Sequence, residues 1–162
     1  MALPQGVIED EIEVVEVAWD DREAVRLRQM QRDDIAGEFP LSKEPGPPPS
    51  VSDCLVFLIA RRRGEAQALA AGGLRRVDDK RAEVKRMYVV PQFRGRPLQL
   101  GQKIVEALER RARQLGFSQL LLETGTFMAG PRKFYERCGY QQDEAFPPYL
   151  DAPQSVFYAK DI

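Results

Sequence analysis

Residues 83–101 read E-V-K-R-M-Y-V-V-P-Q-F-R-G-R-P-L-Q-L-G, and this stretch decides the fold. Glu83 to Val90 is rich in β-branched residues and reads as a strand. Pro91 ends it, because proline lacks an N–H and fixes φ. A Gly/Arg loop follows from Gln92 to Gly101. The spacing of Ile104, Val105, Leu108, Ala112 and Leu115 then predicts a helix from about Gln102 to Leu115, stopped by Gly116. Glu106–Arg110 and Glu109–Arg113 read as i,i+4 pairs on its outer face. Ser118 to Glu123 (S-Q-L-L-L-E) reads as a buried strand. Strand, helix and strand from Glu83 to Glu123 must make a right-handed crossover, which brings two strands near each other in parallel. Simple alternation places Glu83, Lys85, Met87 and Val89 on one face of the first strand.

Working outward, Ile12 to Trp19 reads as an opening strand, and Asp20-Asp21 offers an N-cap to a helix over Arg22 to Glu38. Its apolar stripe is Ala24, Leu27, Met30 and Ile35. Phe39 to Ser52 holds five prolines and is a surface loop. Leu55 to Arg61 and Ala66 to Val77 are strands joined by a charged tip, and they form a meander with the strand at Glu83. Gly72-Gly73 either weakens the second of them or marks a bulge. Downstream, Pro131 to Cys138 is a short helix, and Tyr140 to Glu144 and Ser155 to Lys160 are closing strands. The expected fold class is α/β (α+β), with much antiparallel sheet, as a single domain over residues 1–162.

Composition narrows the chemistry. The 162 residues contain no histidine and two cysteines, Cys54 and Cys138. That excludes a Ser-His-Asp triad, a Cys-His dyad and any imidazole metal ligand, and no C-x-x-C pair exists, so no metal is expected. The cysteines read as reduced thiols, the N-terminus has no secretory pattern, and no apolar run could span a membrane, so a cytoplasmic protein is expected. The net charge of −1 hides a segregation. Residues 1–60 carry 5 basic and 13 acidic side chains, residues 61–116 carry 15 and 6, and residues 117–162 carry 4 and 6. A cationic middle suits an anionic ligand at one place or a set of solvated faces. It is spread over hairpin, loop and helix without interleaved aromatics, so no nucleic acid is expected.

The loop between strand and helix suits a phosphate. A helix N-terminus presents unpaired N–H groups, glycine permits close backbone approach, and Arg94 and Arg96 add cationic donors. The loop matches neither the P-loop nor the dinucleotide fingerprint. Read with L-L-L-E-T-G and F-Y-E-R-C-G-Y in order, E-V-K-R-M-Y-V-V-P-Q-F-R-G resembles the GNAT superfamily of acetyl-CoA-dependent N-acetyltransferases, over about residues 82–162.

The resemblance implies a mixed, mostly antiparallel central sheet flanked by helices, with a parallel strand pair splayed at the cofactor cleft. Acetyl-CoA would lie in that gap, its pantetheine amides on the backbone near Met87, Tyr88 and Val89. The pyrophosphate would meet the amides of Arg94, Gly95, Arg96, Gly101 and Gln102. Against the family loop pattern Q/R-x-x-G-x-G/A, Gln92 and Gly95 match. Pro97 stands where a small residue is usual, and the glycine before the helix comes late, at Gly101. Met128 stands near a position that is often Asn or Gln in relatives. Tyr135 matches the tyrosine that serves as general acid. With no histidine, a carboxylate would be the general base: Glu83 first, Glu123 second, each otherwise a strand-edge carboxylate paired with arginine. Phe146 reads as core cover, while Tyr149 either covers core or lines the acceptor pocket. The acceptor would be a small-molecule or peptide amine that attacks the thioester directly, without an acyl-enzyme. Similar proteins include sheet-edge homodimers. The irregular loop at Pro97 supports a second reading, a CoA-binding sensor or interaction module without turnover.

Overall fold

In a computed structural model, residues 11–39 and 45–162 are described. The elements are β1 (Ile12–Glu16), α1 (Arg22–Glu38), β2 (Cys54–Arg62), β3 (Ala68–Arg76), β4 (Arg81–Val89), α2 (Leu100–Gln114), β5 (Gln119–Gly125), α3 (Ala129–Arg137), β6 (Gln141–Asp143) and β7 (Ser155–Asp161). Residues 40–44 of the proline-rich loop lie outside the described residues.

The strands form one sheet in the order β1-β2-β3-β4-β5-β7-β6. Every neighbouring pair is antiparallel except β4–β5, which is parallel, as the crossover through α2 requires. The sheet is the mixed, mostly antiparallel one expected. α1 starts where the sequence places it: Asp21 Oδ1 accepts from the amides of Glu23 (2.9 Å) and Ala24 (3.2 Å). It covers one face of the sheet, with Leu27 fully buried and Arg28 stacked on the Trp19 ring at 3.6 Å. α2 covers the other face through Ile104, Leu108 and Ala112, and α3 packs beside it.

The outer-face expectation for α2 is half right. Glu109 is buried, and Oε1 accepts from Lys160 Nζ (2.9 Å) and Tyr140 Oη (3.2 Å), with Arg113 at 3.9 Å. A burial signal was hidden here because the partners come from β7 and from the residue before β6, distant in sequence.

The alternation expected for β4 also fails, and the cause is local. Opposite Gly72 on β3, β4 carries an extra residue: Gly73 pairs with Lys85 and Ala71 with Tyr88. Arg86 adopts φ +59° at this bulge. Glu83 and Lys85 therefore face α1, whereas Met87 and Val89 face α2. A Cβ on Gly72 would meet Met87 Sδ at 2.5 Å and Ile104 Cγ2 at 2.7 Å, so the glycine makes room for the displaced methionine. The bulge expected at Gly72-Gly73 is real, with its extra residue on the facing strand.

Candidate active site

β4 and β5 pair only at Arg81–Gln119, Ala82–Leu120 and Glu83–Leu121. Both strands run on, to Val89 and Gly125, without further pairing. The result is a splay whose vertex lies at Glu83 and Leu121. A cleft of about 590 Å³ opens there, bordered by β4 (Val84 to Met87), β5 (Glu123 to Gly125), α1 (Gln31 to Ala36), Tyr135 of α3 and the segment before β7.

The edge of β4 supplies peptide groups. Val90 donates to Leu69 of β3 at 2.9 Å. By alternation Tyr88 turns its peptide to β3, and Met87 and Val89 turn theirs to the open side. The carbonyls of these two accept from side chains: Gln31 Nε2 reaches Met87 O at 2.8 Å, and Arg94 Nε reaches Val89 O at 2.9 Å. Tyr88 projects toward α1, where its hydroxyl donates to Asp34 Oδ2. Burial, then this carboxylate, push its phenol up to about 12.

After β4 come a 3-10 turn at Pro91–Phe93, then Gly95 at φ +79° and Gln99 at φ +47°. The helix begins at Leu100, two residues earlier than the sequence reading. Gln99 caps it without a side-chain acceptor, and the first amide paired along it is Lys103, to Gln99 O at 3.1 Å. Among the described residues the amides of Leu100, Gly101 and Gln102 have no backbone acceptor, the donor set a phosphate needs. Leu100 opens the helix ahead of the onset that the apolar spacing predicts, so the sequence does not single it out. Gly101 lies inside the helix, not before it. A Cβ there would sit 3.1 Å from the Phe134 ring, so an added methyl would press on α3 where it approaches α2. Arg96 is exposed beside this turn. Arg94 lies 3.8 Å from Asp34 and over the Tyr88 ring, which ties the loop to α1.

Tyr135 borders the cleft from the α2 side of the sheet. It is 8% exposed, packed against Phe134 and Tyr140, and no protein group hydrogen-bonds its hydroxyl among the described residues. Burial, with a smaller contribution from Cys138, pushes its phenol well above the usual range. The hydroxyl is therefore protonated at neutral pH and available as a donor.

The two carboxylates occupy different places. Glu83 is 0% exposed, at the vertex of the splay, and does not border the cleft. Arg75 holds Oε1 through Nε (3.1 Å) and Nη2 (2.5 Å), and Tyr149 donates to Oε2 at 2.8 Å. Tyr149 in turn accepts from Arg75 Nη2 (2.6 Å) and Lys85 Nζ (2.9 Å). This is the arginine-paired arrangement weighed for Glu83 from the sequence. Tyr149 and Phe146 close a small apolar cluster over it, with Phe157. Glu123 borders the cleft and accepts from Ser155 Oγ at 2.8 Å.

Sequence reasoning missed Gln31, Lys85 and Phe127 as cleft residues. Gln31 had a signal: it stands between Leu27 and Ile35 at i±4, a polar residue within the apolar stripe of α1. Met128, noted at the departure from the family, lines the cleft beside Phe127. Among the described residues no group of acidic and cysteine side chains could hold a metal, and no helix is long and apolar enough to cross a membrane.

Comparison with known proteins agrees with this architecture. The chain is 38% identical over 106 residues to an IAA acetyltransferase of Azospirillum brasilense, covering 65% of this chain and 67% of that protein. It superposes at TM-score 0.76 and 33% identity on a Klebsiella pneumoniae protein assigned as an acyl-CoA N-acyltransferase, over 93% of this chain and 97% of that one. A GNAT acetyltransferase of Elizabethkingia anophelis, solved with acetyl-CoA bound, shares the fold at TM-score 0.68 and 12% identity, over 94% of this chain and 99% of that one. The model of the Acetyltransferase (GNAT) family matches residues 13–140, and the chain belongs to that family.

Proposed function

We propose that this chain is an acetyl-CoA-dependent N-acetyltransferase that acts on a primary amine by direct attack within a ternary complex. The observation that carries this reading is the splay itself: β4 and β5 part at Glu83–Leu121 and leave a cleft bordered by the buried phenol of Tyr135, which has no hydrogen-bond partner among the described residues. The fit to the co-substrate rests on the open peptide groups of Met87 and Val89 and the unpaired amides of Leu100, Gly101 and Gln102. Gly95 adds backbone freedom, and Arg94 and Arg96 add charge. An acetyl-CoA complex of a GNAT protein from Elizabethkingia anophelis and a coenzyme A complex of one from Thermoplasma acidophilum support the same assignment.

Acetyl-CoA supplies an activated acetyl group as a thioester. Glu123, directly or through water, takes the proton of the incoming ammonium. Glu83 fits a different role: bound by Arg75 and Tyr149, it fixes the vertex of the splay. The N–H groups of Met87 and Val89 face the open side and can stabilise negative charge on the carbonyl oxygen. A C–N bond forms as the C–S bond breaks, and Tyr135 gives its proton to the departing sulfur. The proton lost by the amine restores Tyr135 through solvent. Neither cysteine borders the cleft, consistent with transfer without an acyl-enzyme.

Thiol release from acetyl-CoA across an amine panel tests the reading. Tyr135→Phe is expected to lower kcat about 10²-fold or more while leaving the Kd for CoA within about twofold. An unchanged kcat removes Tyr135 from the acid role. Tight CoA binding with no thiol release from any amine favours the binding-module reading instead.

A further inference from the structure

The acceptor side of the cleft carries an aromatic shelf that the chemistry above does not use. Phe127 stands in the turn that joins β5 to α3, closed by Met128 N donating to Gly125 O at 3.0 Å. One edge of its ring lies close over Gly125: a Cβ there would be 2.6 Å from Cε1 and 2.7 Å from Cζ. On its other side it meets Phe39, at the end of α1, with centroids 4.7 Å apart and planes tilted 56°. Held from two sides, Phe127 still leaves 40% of its surface exposed, and it borders the cleft with Ile35 and Pro153. A large aromatic fixed by a glycine and left open inside a cleft is a surface waiting for an apolar partner.

Its position relative to the carboxylate sets the partner's dimensions. Leu121 belongs to the apolar cluster on the α1 side of the sheet, so alternation puts Glu123 and Gly125 on that same side. The shelf on Gly125 therefore lies beyond Glu123 by two residues of strand, about 6.6 Å at ~3.3 Å per residue. A nitrogen held over Glu123 and a ring stacked on Phe127 are separated by the span of a two- or three-carbon linker. Tyr135 and the α2 N-terminus lie toward the opposite face, which leaves the α1 side to the acceptor.

We infer that the acceptor is an arylalkylamine: a primary amine joined by two or three carbons to an aromatic ring that stacks on Phe127. The inference rests on the acetyltransferase reading above and names the substrate class of that site. A short diamine or a simple alkylamine would reach Glu123 and leave the shelf uncovered.

The test uses the full chain, acetyl-CoA and thiol release with phenethylamine, tryptamine, n-butylamine and putrescine. The expected result is a kcat/KM at least about tenfold higher for the two aromatic amines than for n-butylamine. Phe127→Ala is expected to abolish that preference, Phe127→Trp to keep it, with the Kd for CoA within about twofold in both. Equal or better use of n-butylamine or putrescine, or an undiminished preference in Phe127→Ala, overturns the inference and leaves the acetyltransferase reading standing. No thiol release with any amine overturns that reading and the inference with it.

Discussion

Tyr149→Phe isolates one hydroxyl at the vertex of the splay. The ring is 1% exposed and stays in place, so the substitution opens no cavity larger than an oxygen. What it removes is the donor to Glu83 Oε2 at 2.8 Å and the acceptor of Arg75 Nη2 and Lys85 Nζ. Glu83 Oε1 keeps both Arg75 bonds, while Oε2 is left with Lys85 Nζ at 3.7 Å. A hydrogen bond to a charged group contributes about 1.5–3 kcal/mol, and a lysine that swings inward recovers part of it, so a net loss of about 2 kcal/mol is expected. For a chain of this size that corresponds to a Tm lower by about 4–8 °C. Urea unfolding at pH 7, with m unchanged, measures it. In a double-mutant cycle with Arg75→Met, the two changes should couple by about 1 kcal/mol or more, because both act on the same carboxylate. A loss below about 0.5 kcal/mol with additive effects would show that the cluster is solvated and does not hold the vertex.

Gly72→Ala should cost about 1–3 kcal/mol by overpacking Met87 and Ile104, and it should raise the KM for acetyl-CoA as β4 shifts; native stability and KM alike would refute the account of the bulge. Gln31→Leu trades a bond to Met87 O against a buried Oε1 that has no partner. Stability is therefore expected within about 1 kcal/mol of the parent, with a higher KM for acetyl-CoA as the readout; a loss above about 3 kcal/mol would refute it. Tyr88, Tyr135, Tyr140 and Tyr149 all hold their protons more tightly in the folded chain, chiefly through burial. Their contribution to stability is full below pH 10, where unfolded tyrosines titrate, and is lost above it, by about pH 12 for Tyr88. Phenolate absorbance at pH 10.5 should then be well under half that of the unfolded chain, and an equal signal would contradict the burial.

How much of this was legible in the sequence depended on whether the signal was local. α1 was readable to its ends because the N-cap Asp21 directly precedes it and its apolar stripe lies within it. The parallel pair followed from one strand–helix–strand unit. The parity of β4 was not readable, since the extra residue is defined only against Gly72 on the neighbouring strand. Glu83 read equally well as a base or as an arginine partner. Only the fold brings Arg75 across one strand and Tyr149 across 66 residues to decide its surroundings. Phe127 went unremarked for the same reason: its shelf is made with Phe39, from the other end of the chain.

The bulge at Arg86 divides β4 into two stretches that answer to different pressures. Before it, the side chains at 83 and 85 lie on the α1 face of the sheet, and after it those at 87 and 89 lie on the α2 face. Under the proposed function, a change at 85 would act on the α1 side of the cleft and a change at 87 or 89 on the side of the loop before α2, so the two can be varied separately. Pairing the strand regularly without removing a residue would merge the two stretches into one alternation, with 83, 85, 87 and 89 on a single face. The bulge, more than composition, is therefore the property of β4 that must be kept in any redesign of this protein.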